Sequence, residues 1–172
     1  MASTMLVCWD DAQARRFEPF ALTRPVSELR AGALLVRERW GRALGAEALG
    51  FVGAPHLGDF DEPDAPAALA AVPAGTWLVQ ARFAAALQKA PAAAVLRHEG
   101  RCVAVRLARD VSAEALRAPT MSLDALVPDG AAVAEVAGWW LDAPWDVVRH
   151  LPAMLAADVP LLAKALKAKP MG

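Results

Sequence analysis

At 172 residues the chain is long enough for one domain of ordinary size and short for a two-domain enzyme. A composition that is 56% hydrophobic and 22% charged excludes a disordered chain, and a net charge of -1 excludes a global field that gathers nucleic acid or an anionic membrane. Alanine makes up nearly a quarter of the residues, so periodicity is read from Leu, Val, Phe and Trp. Met5 to Trp9 is an apolar run halted by Asp10 and Asp11, which predicts a buried first strand carrying two carboxylates at its C-terminal end. Open α/β sheets bind ligands just beyond such strand ends. Residues 12–26 carry two prolines and three arginines without helical spacing and read as a long loop. From Ala33 to Leu44, the spacing of Leu34, Leu35, Val36, Trp40 and Leu44 predicts an amphipathic helix.

Residues 50–53 read as a short strand, and residues 56–66 as a solvated acidic loop without the spacing of a calcium loop. Thr76 to Gln80 reads as the next strand, followed by a helix from Phe83 to Lys89. Ala93 to Leu96 and Cys102 to Leu107 predict a hairpin that turns at Glu99 and Gly100. Ser112 caps a short helix through Arg117, a second begins at Ser122, and Ala132 to Val136 reads as a strand. Pro144 and Asp146 open a helix through His150, and the helical remainder is interrupted by Pro152 and Pro160. It ends in Lys164, Lys167 and Lys169, which complement a helix C-terminus. Strands alternating with helices predict an α/β sandwich, with a mostly parallel sheet, in a single domain spanning 1–172.

Cys8 and Cys102 each lie in an apolar run with no CxxC partner, and read as buried thiols of a reducing cytoplasm. The start MASTMLVCWDD lacks a basic leader segment, and no apolar stretch approaches the roughly 20 residues of a membrane span, so a soluble cytoplasmic protein is expected. His56, His98 and His150 stand far apart without metal-type spacing. Trp139, Trp140 and Trp145 read as packing residues at a core edge; exposed, they would mark a self-association surface and a homo-oligomer. The candidate chemistry lies in Asp10 to Gly32. Asp10 and Asp11 suit a divalent metal, while Arg15, Arg16, Arg24 and Arg30 suit bidentate contacts to phosphate. A surface ion-pair network would use the same residue types.

The run PFALTRPVSELRAGALLVRERW at residues 19–40, after LVCWDD, resembles the N-terminal segment of a bacterial family of sugar nucleotidyltransferases. That family is similar to the N-terminal domain of the bifunctional N-acetylglucosamine-1-phosphate uridyltransferase. DAPWDVVRHLPAMLAADVPLL at residues 142–162 resembles the family's closing segment. The resemblance implies a Rossmann-like domain with helices on both faces of the sheet. It implies binding of a nucleoside triphosphate and a sugar phosphate, or of the nucleotide sugar they form, with release of pyrophosphate and help from Mg2+. Asp10 and Asp11 then serve as metal or ribose contacts, and Arg16, Arg24 and Arg30 as phosphate contacts, with Gln80 and Arg82 on the adjacent strand end.

The departures from the pattern are specific. Nucleotidyltransferases of this kind open with a glycine-rich loop of the type GxGTRxxP, followed by a lysine. Here the matching loop is QARRFEPFALTRPV: Arg16 stands for the arginine, Pro19 and Pro25 for the prolines, and Val26 for the lysine. Ala81 stands where a magnesium-binding aspartate is expected. A non-catalytic nucleotide-sugar-binding or assembly module is therefore carried as the alternative.

Overall fold

The computed structural model describes residues 4–166. Its strands are β1 (Met5–Trp9), β2 (Arg30–Ala31), β3 (Leu34–Leu35), β4 (Glu47–Val52), β5 (Ala71–Val72) and β6 (Trp77–Gln80). They continue as β7 (Phe83–Ala85), β8 (Val95–His98), β9 (Arg101–Arg106), β10 (Val111–Ser112), β11 (Val133–Glu135) and β12 (Gly138–Trp140). The helices are α1 (Val36–Leu44), α2 (Ala113–Leu116) and α3 (Pro144–Ala165). Six strands form the central sheet in the order β11-β8-β9-β6-β1-β4, and this is an α/β fold. β1 is parallel to both β4 and β6, and β11 is parallel to β8; β9 alone runs antiparallel to its neighbours.

Period-two alternation along β1 sends Leu6 and Cys8 to one face and Val7 and Trp9 to the other, so each face builds its own core. The first core packs against α1 through Val36, Trp40 and Ala43, one stripe at helical spacing. Glu38 accepts a hydrogen bond from the Leu35 N–H at 2.8 Å, and Gly45 ends α1 in the left-handed conformation that glycine adopts freely. On the second face the expectation of a full helical layer is corrected. That face is covered by the β5–β10 ribbon, the single turn of α2 and a 3-10 turn over Leu123–Leu126, through Val72, Val111, Leu116 and Leu123. These segments are too short and proline-punctuated to propagate a helix.

The hairpin expectation holds: β8 and β9 pair with His98 opposite Arg101. Glu99 and Gly100 both take positive φ, 50° and 77°, as a two-residue turn matched to strand twist requires. Glutamate is a poor occupant of that conformation. Glu99→Asn is expected to raise stability by about 0.5–1 kcal/mol, read as a shift of the denaturant midpoint at constant m.

Three other expectations are corrected. Residues 12–26 contain a 3-10 helix, Ala12–Phe17, capped by Asp11, and burial of Ala14 and Phe17 organises it. The helix expected from Phe83 is instead β7, antiparallel to β12 and wholly buried, because Phe83 packs against Trp40, His98 and Trp140. The C-terminal helix is continuous through Pro152 and Pro160. Both prolines lie on its solvent side, where water can take the carbonyls they leave unpaired. Lys167 and Lys169 lie outside the described residues.

Only Asp146, Met154 and Asp158 of α3 are buried, while Trp145, Val148 and Val159 stay exposed. Asp158 anchors the helix: its carboxylate takes Arg39 Nη1 at 2.6 Å and Nη2 at 3.0 Å, and the Ala33 N–H at 3.1 Å. Arg39 donates further to the carbonyls of Ala85 and Ala31, so every nitrogen of the fully buried guanidinium has a hydrogen-bond partner. Among the described residues no helix is long and apolar enough to cross a membrane.

Candidate functional site

The chain leaves β1, crosses by α1 to β4 on one side, and later enters β6 on the other, so the strand order reverses at β1. At such a reversal the segments beyond the strand ends diverge and leave a crevice. Here the ends carry Asp10 and Asp11 after β1, Gly53 and Ala54 after β4, and Gln80 to Arg82 around the end of β6. The crevice has two lobes that share Asp11. One, of about 270 Å³, is lined by Asp10, Arg15, Gly53, Ala54 and Arg117. The other, of about 290 Å³, is lined by Gln13, Gln80, Arg82, Arg101, Ser122 and Trp140.

Asp11 is heavily engaged. Its Oδ1 accepts the Gln13 N–H at 3.1 Å and Arg82 Nε at 2.8 Å; its Oδ2 accepts Arg82 Nη2 at 2.6 Å and Gln80 Nε2 at 3.1 Å. Arg82, only 2% exposed, turns Nη1 to Asp142 Oδ1 at 2.8 Å and to the Leu141 carbonyl at 3.4 Å. Arg101 reaches the same Asp142 at 3.3 Å, and its guanidinium carbon lies over Trp140, 3.4 Å from the ring centroid. Burial acts to raise the Asp142 carboxyl, but hydrogen bonds from Arg101 and Arg82 outweigh it and hold it below the usual range.

Asp10 differs. Its Oδ2 accepts the Val26 N–H at 3.0 Å, tying the opening segment to β1, while Oδ1 is buried without a partner. Burial pushes this carboxyl up to about 7, the Asp11 charge adds to the rise, and the Val26 N–H and Arg82 oppose it. The buried thiols of Cys8 and Cys102 are raised by the same cause, Cys102 to about 11, and are unreactive at neutral pH.

The sequence candidates therefore scatter. Asp10, Asp11, Gln80 and Arg82 meet at the crevice. Arg16 is exposed on the 3-10 helix; Arg24 pairs with Glu62 at 2.7 Å; Arg30 donates to the Ala33 carbonyl at 2.6 Å and borders a separate apolar cavity with Phe17, Phe20 and Val148. None of these three lines either lobe. Arg15 does, although it also pairs with Glu18. Arg117, Arg101 and Asp142 were missed. Arg117 donates Nε to the Gly53 carbonyl at 2.7 Å and has no carboxylate partner among the described residues. No local pattern marks these residues, since each reaches the crevice from a distant part of the chain.

Mg2+ prefers several oxygen ligands in octahedral array. Both oxygens of Asp11 are occupied by N–H donors, leaving Asp10 Oδ1 as the one unengaged carboxylate oxygen of the pair. No cluster of three or more His, Cys, Asp or Glu side chains suited to a metal occurs among the described residues. The donor set does not fit a magnesium ion held by both aspartates.

A sheet with reversed strand order, and a polar crevice beyond its strand ends, places the chain among the open α/β folds. A family model described as sugar nucleotidyl transferase matches residues 6–167, and the chain belongs to that family. No curated protein and no solved structure matches the chain.

Proposed function

We propose that the chain is a sugar-1-phosphate nucleotidyltransferase domain of Rossmann-like type that binds a nucleoside triphosphate and a sugar phosphate across the two lobes. The observation that supports this best is the crevice at the β1 reversal, with the uncompensated guanidinium of Arg117 on one wall and Arg101 and Arg82 on the other. In this reaction an oxygen of the sugar phosphate attacks the α-phosphorus in line. A new P–O bond forms as the bond to the departing pyrophosphate breaks. The protein's part is to orient both reactants and offset their charge, and this reading assigns that part to Arg117 and Arg15, which line the first lobe.

The same geometry gives a specific reason for the second reading, a non-catalytic nucleotide-sugar-binding module. Asp11 is locked to Arg82, and the segment that follows it, residues 13–26, holds no glycine from which to build a phosphate cradle. Exchange of labelled pyrophosphate into a nucleoside triphosphate, run over common sugar phosphates with and without Mg2+, separates the readings. Turnover is expected with at least one pair, and Arg117→Gln is expected to weaken it about tenfold through loss of one charge-assisted contact. Calorimetric binding without exchange supports the module; the absence of both binding and exchange removes the nucleotidyltransferase reading and leaves only an assembly role.

A further inference from the structure

The clamp around Asp11 occupies the place where a two-carboxylate metal site would have to form. We propose that the Arg82 guanidinium has replaced a protein-held divalent cation in this chain, so that the crevice accepts phosphate groups without a metal bound to Asp11. The phosphate half of this rests on the nucleotide-binding reading above; the metal half does not.

The first support is saturation. Four N–H groups converge on the two oxygens of Asp11, two of them from Arg82 in the side-by-side geometry that matches a carboxylate. A cation on Asp11 would have to displace them, and its neighbour Arg82 is a like charge. The second is balance. Two carboxylates, Asp11 and Asp142, meet two guanidiniums, Arg82 and Arg101, so the wall between β6 and α3 is neutral as it stands. The third is rigidity. Arg82 is almost wholly buried, fixed by the Leu141 carbonyl and by Asp142, and lies 5.9 Å from the Trp140 ring centroid, so it cannot swing aside cheaply. The fourth is capacity. Nε, one N–H of Nη2 and both N–H groups of Nη1 are engaged, which leaves one Nη2 N–H unengaged on a side chain that lines the second lobe.

Manganese, a paramagnetic stand-in for Mg2+, tests the metal half without nucleotide. Wild-type protein is expected to leave Mn2+ free in solution. Arg82→Ala exposes Asp11 beside Asp10 and is expected to gain a site, with at least a tenfold rise in Mn2+ affinity, on the order of one lost like-charge contact. Asp11→Asn in the Arg82→Ala background is expected to abolish that gain, and Arg82→Lys, which keeps the charge, is expected not to show it. Circular dichroism and a thermal melt establish that each variant is folded; if Arg82→Ala is not, Arg82→Gln serves the same purpose with more of the volume kept. A stoichiometric Mn2+ site in the wild type, or no gain in folded Arg82→Ala and Arg82→Gln, overturns the proposal. For the phosphate half, calorimetry with nucleotide sugars is expected to show the same affinity in chelator and in Mg2+. Binding that requires Mg2+ overturns it. Absence of binding under both conditions removes the nucleotide reading, while the manganese titration still decides the role of Arg82.

Discussion

Asp158→Ala is expected to destabilise the protein by about 3–5 kcal/mol, because it strands the Arg39 guanidinium at a fully buried position. The loss couples two elements far apart in the chain. Arg39 projects from α1 toward Asp158 of α3, and the same carboxylate holds the Ala33 N–H at the turn between β2 and β3. A fall in melting temperature of roughly 10 °C accompanies a loss of this size in a domain of this length. Replacing both partners with apolar residues, Arg39→Met with Asp158→Leu, is expected to recover most of the stability, since a desolvated ion pair contributes little beyond a well-packed apolar pair. Denaturant titration of the single and double variants reads both effects. A single-variant loss below about 1 kcal/mol would show that the pair does not anchor α3.

Asp10→Asn is expected to stabilise the protein at pH 8 and to leave it nearly unchanged at pH 4. Burial holds the Asp10 carboxyl at about 7 in the folded state against 3.8 for the free group, so the native protein binds the proton more tightly than the unfolded chain. Between those two values the native state carries more protons, and stability falls as pH rises through the window. Asparagine keeps the oxygen that accepts the Val26 N–H and removes the charge, so its contribution does not fall. The difference between the two proteins should open from pH 4 to pH 8 by on the order of 2–4 kcal/mol. Glu28 is also raised by burial, and its charge adds to the rise of Asp10. Denaturation curves at several pH values check this. A gap that is constant with pH would mean that Asp10 is not held near 7.

The site was partly legible in the residues. An apolar run ending in two aspartates marked a strand end, and Asp10 and Asp11 line the crevice beyond it. The role of Asp11 was not legible, because its main partner, Arg82, is 71 residues away in the chain. The arginines of residues 15–30 read as one cluster by proximity. In the fold they diverge, as the 3-10 helix turns Arg16 to solvent and the following segment carries Arg24 to Glu62 and Arg30 to the far side. Arg39 is not among the apolar residues, Leu34, Leu35, Val36, Trp40 and Leu44, that marked the helix. Yet Val36, Arg39, Trp40 and Ala43 share one stripe at helical spacing, which was a signal of its burial.

By itself the amino-acid sequence determined the features whose energy lies within a few residues. These are the buried run of β1, the tight turn at Glu99 and Gly100, the Ser112 cap, and the Pro144 start of α3 with Asp146 accepting the Ala143 N–H. Tertiary structure alone decided that Phe83 to Ala85 is a strand, that short segments cover the second face of the sheet, and which carboxylate Arg39 and Arg82 meet. Those outcomes depend on pairings across tens of residues, whose free energy arises only once burial strips water from both partners.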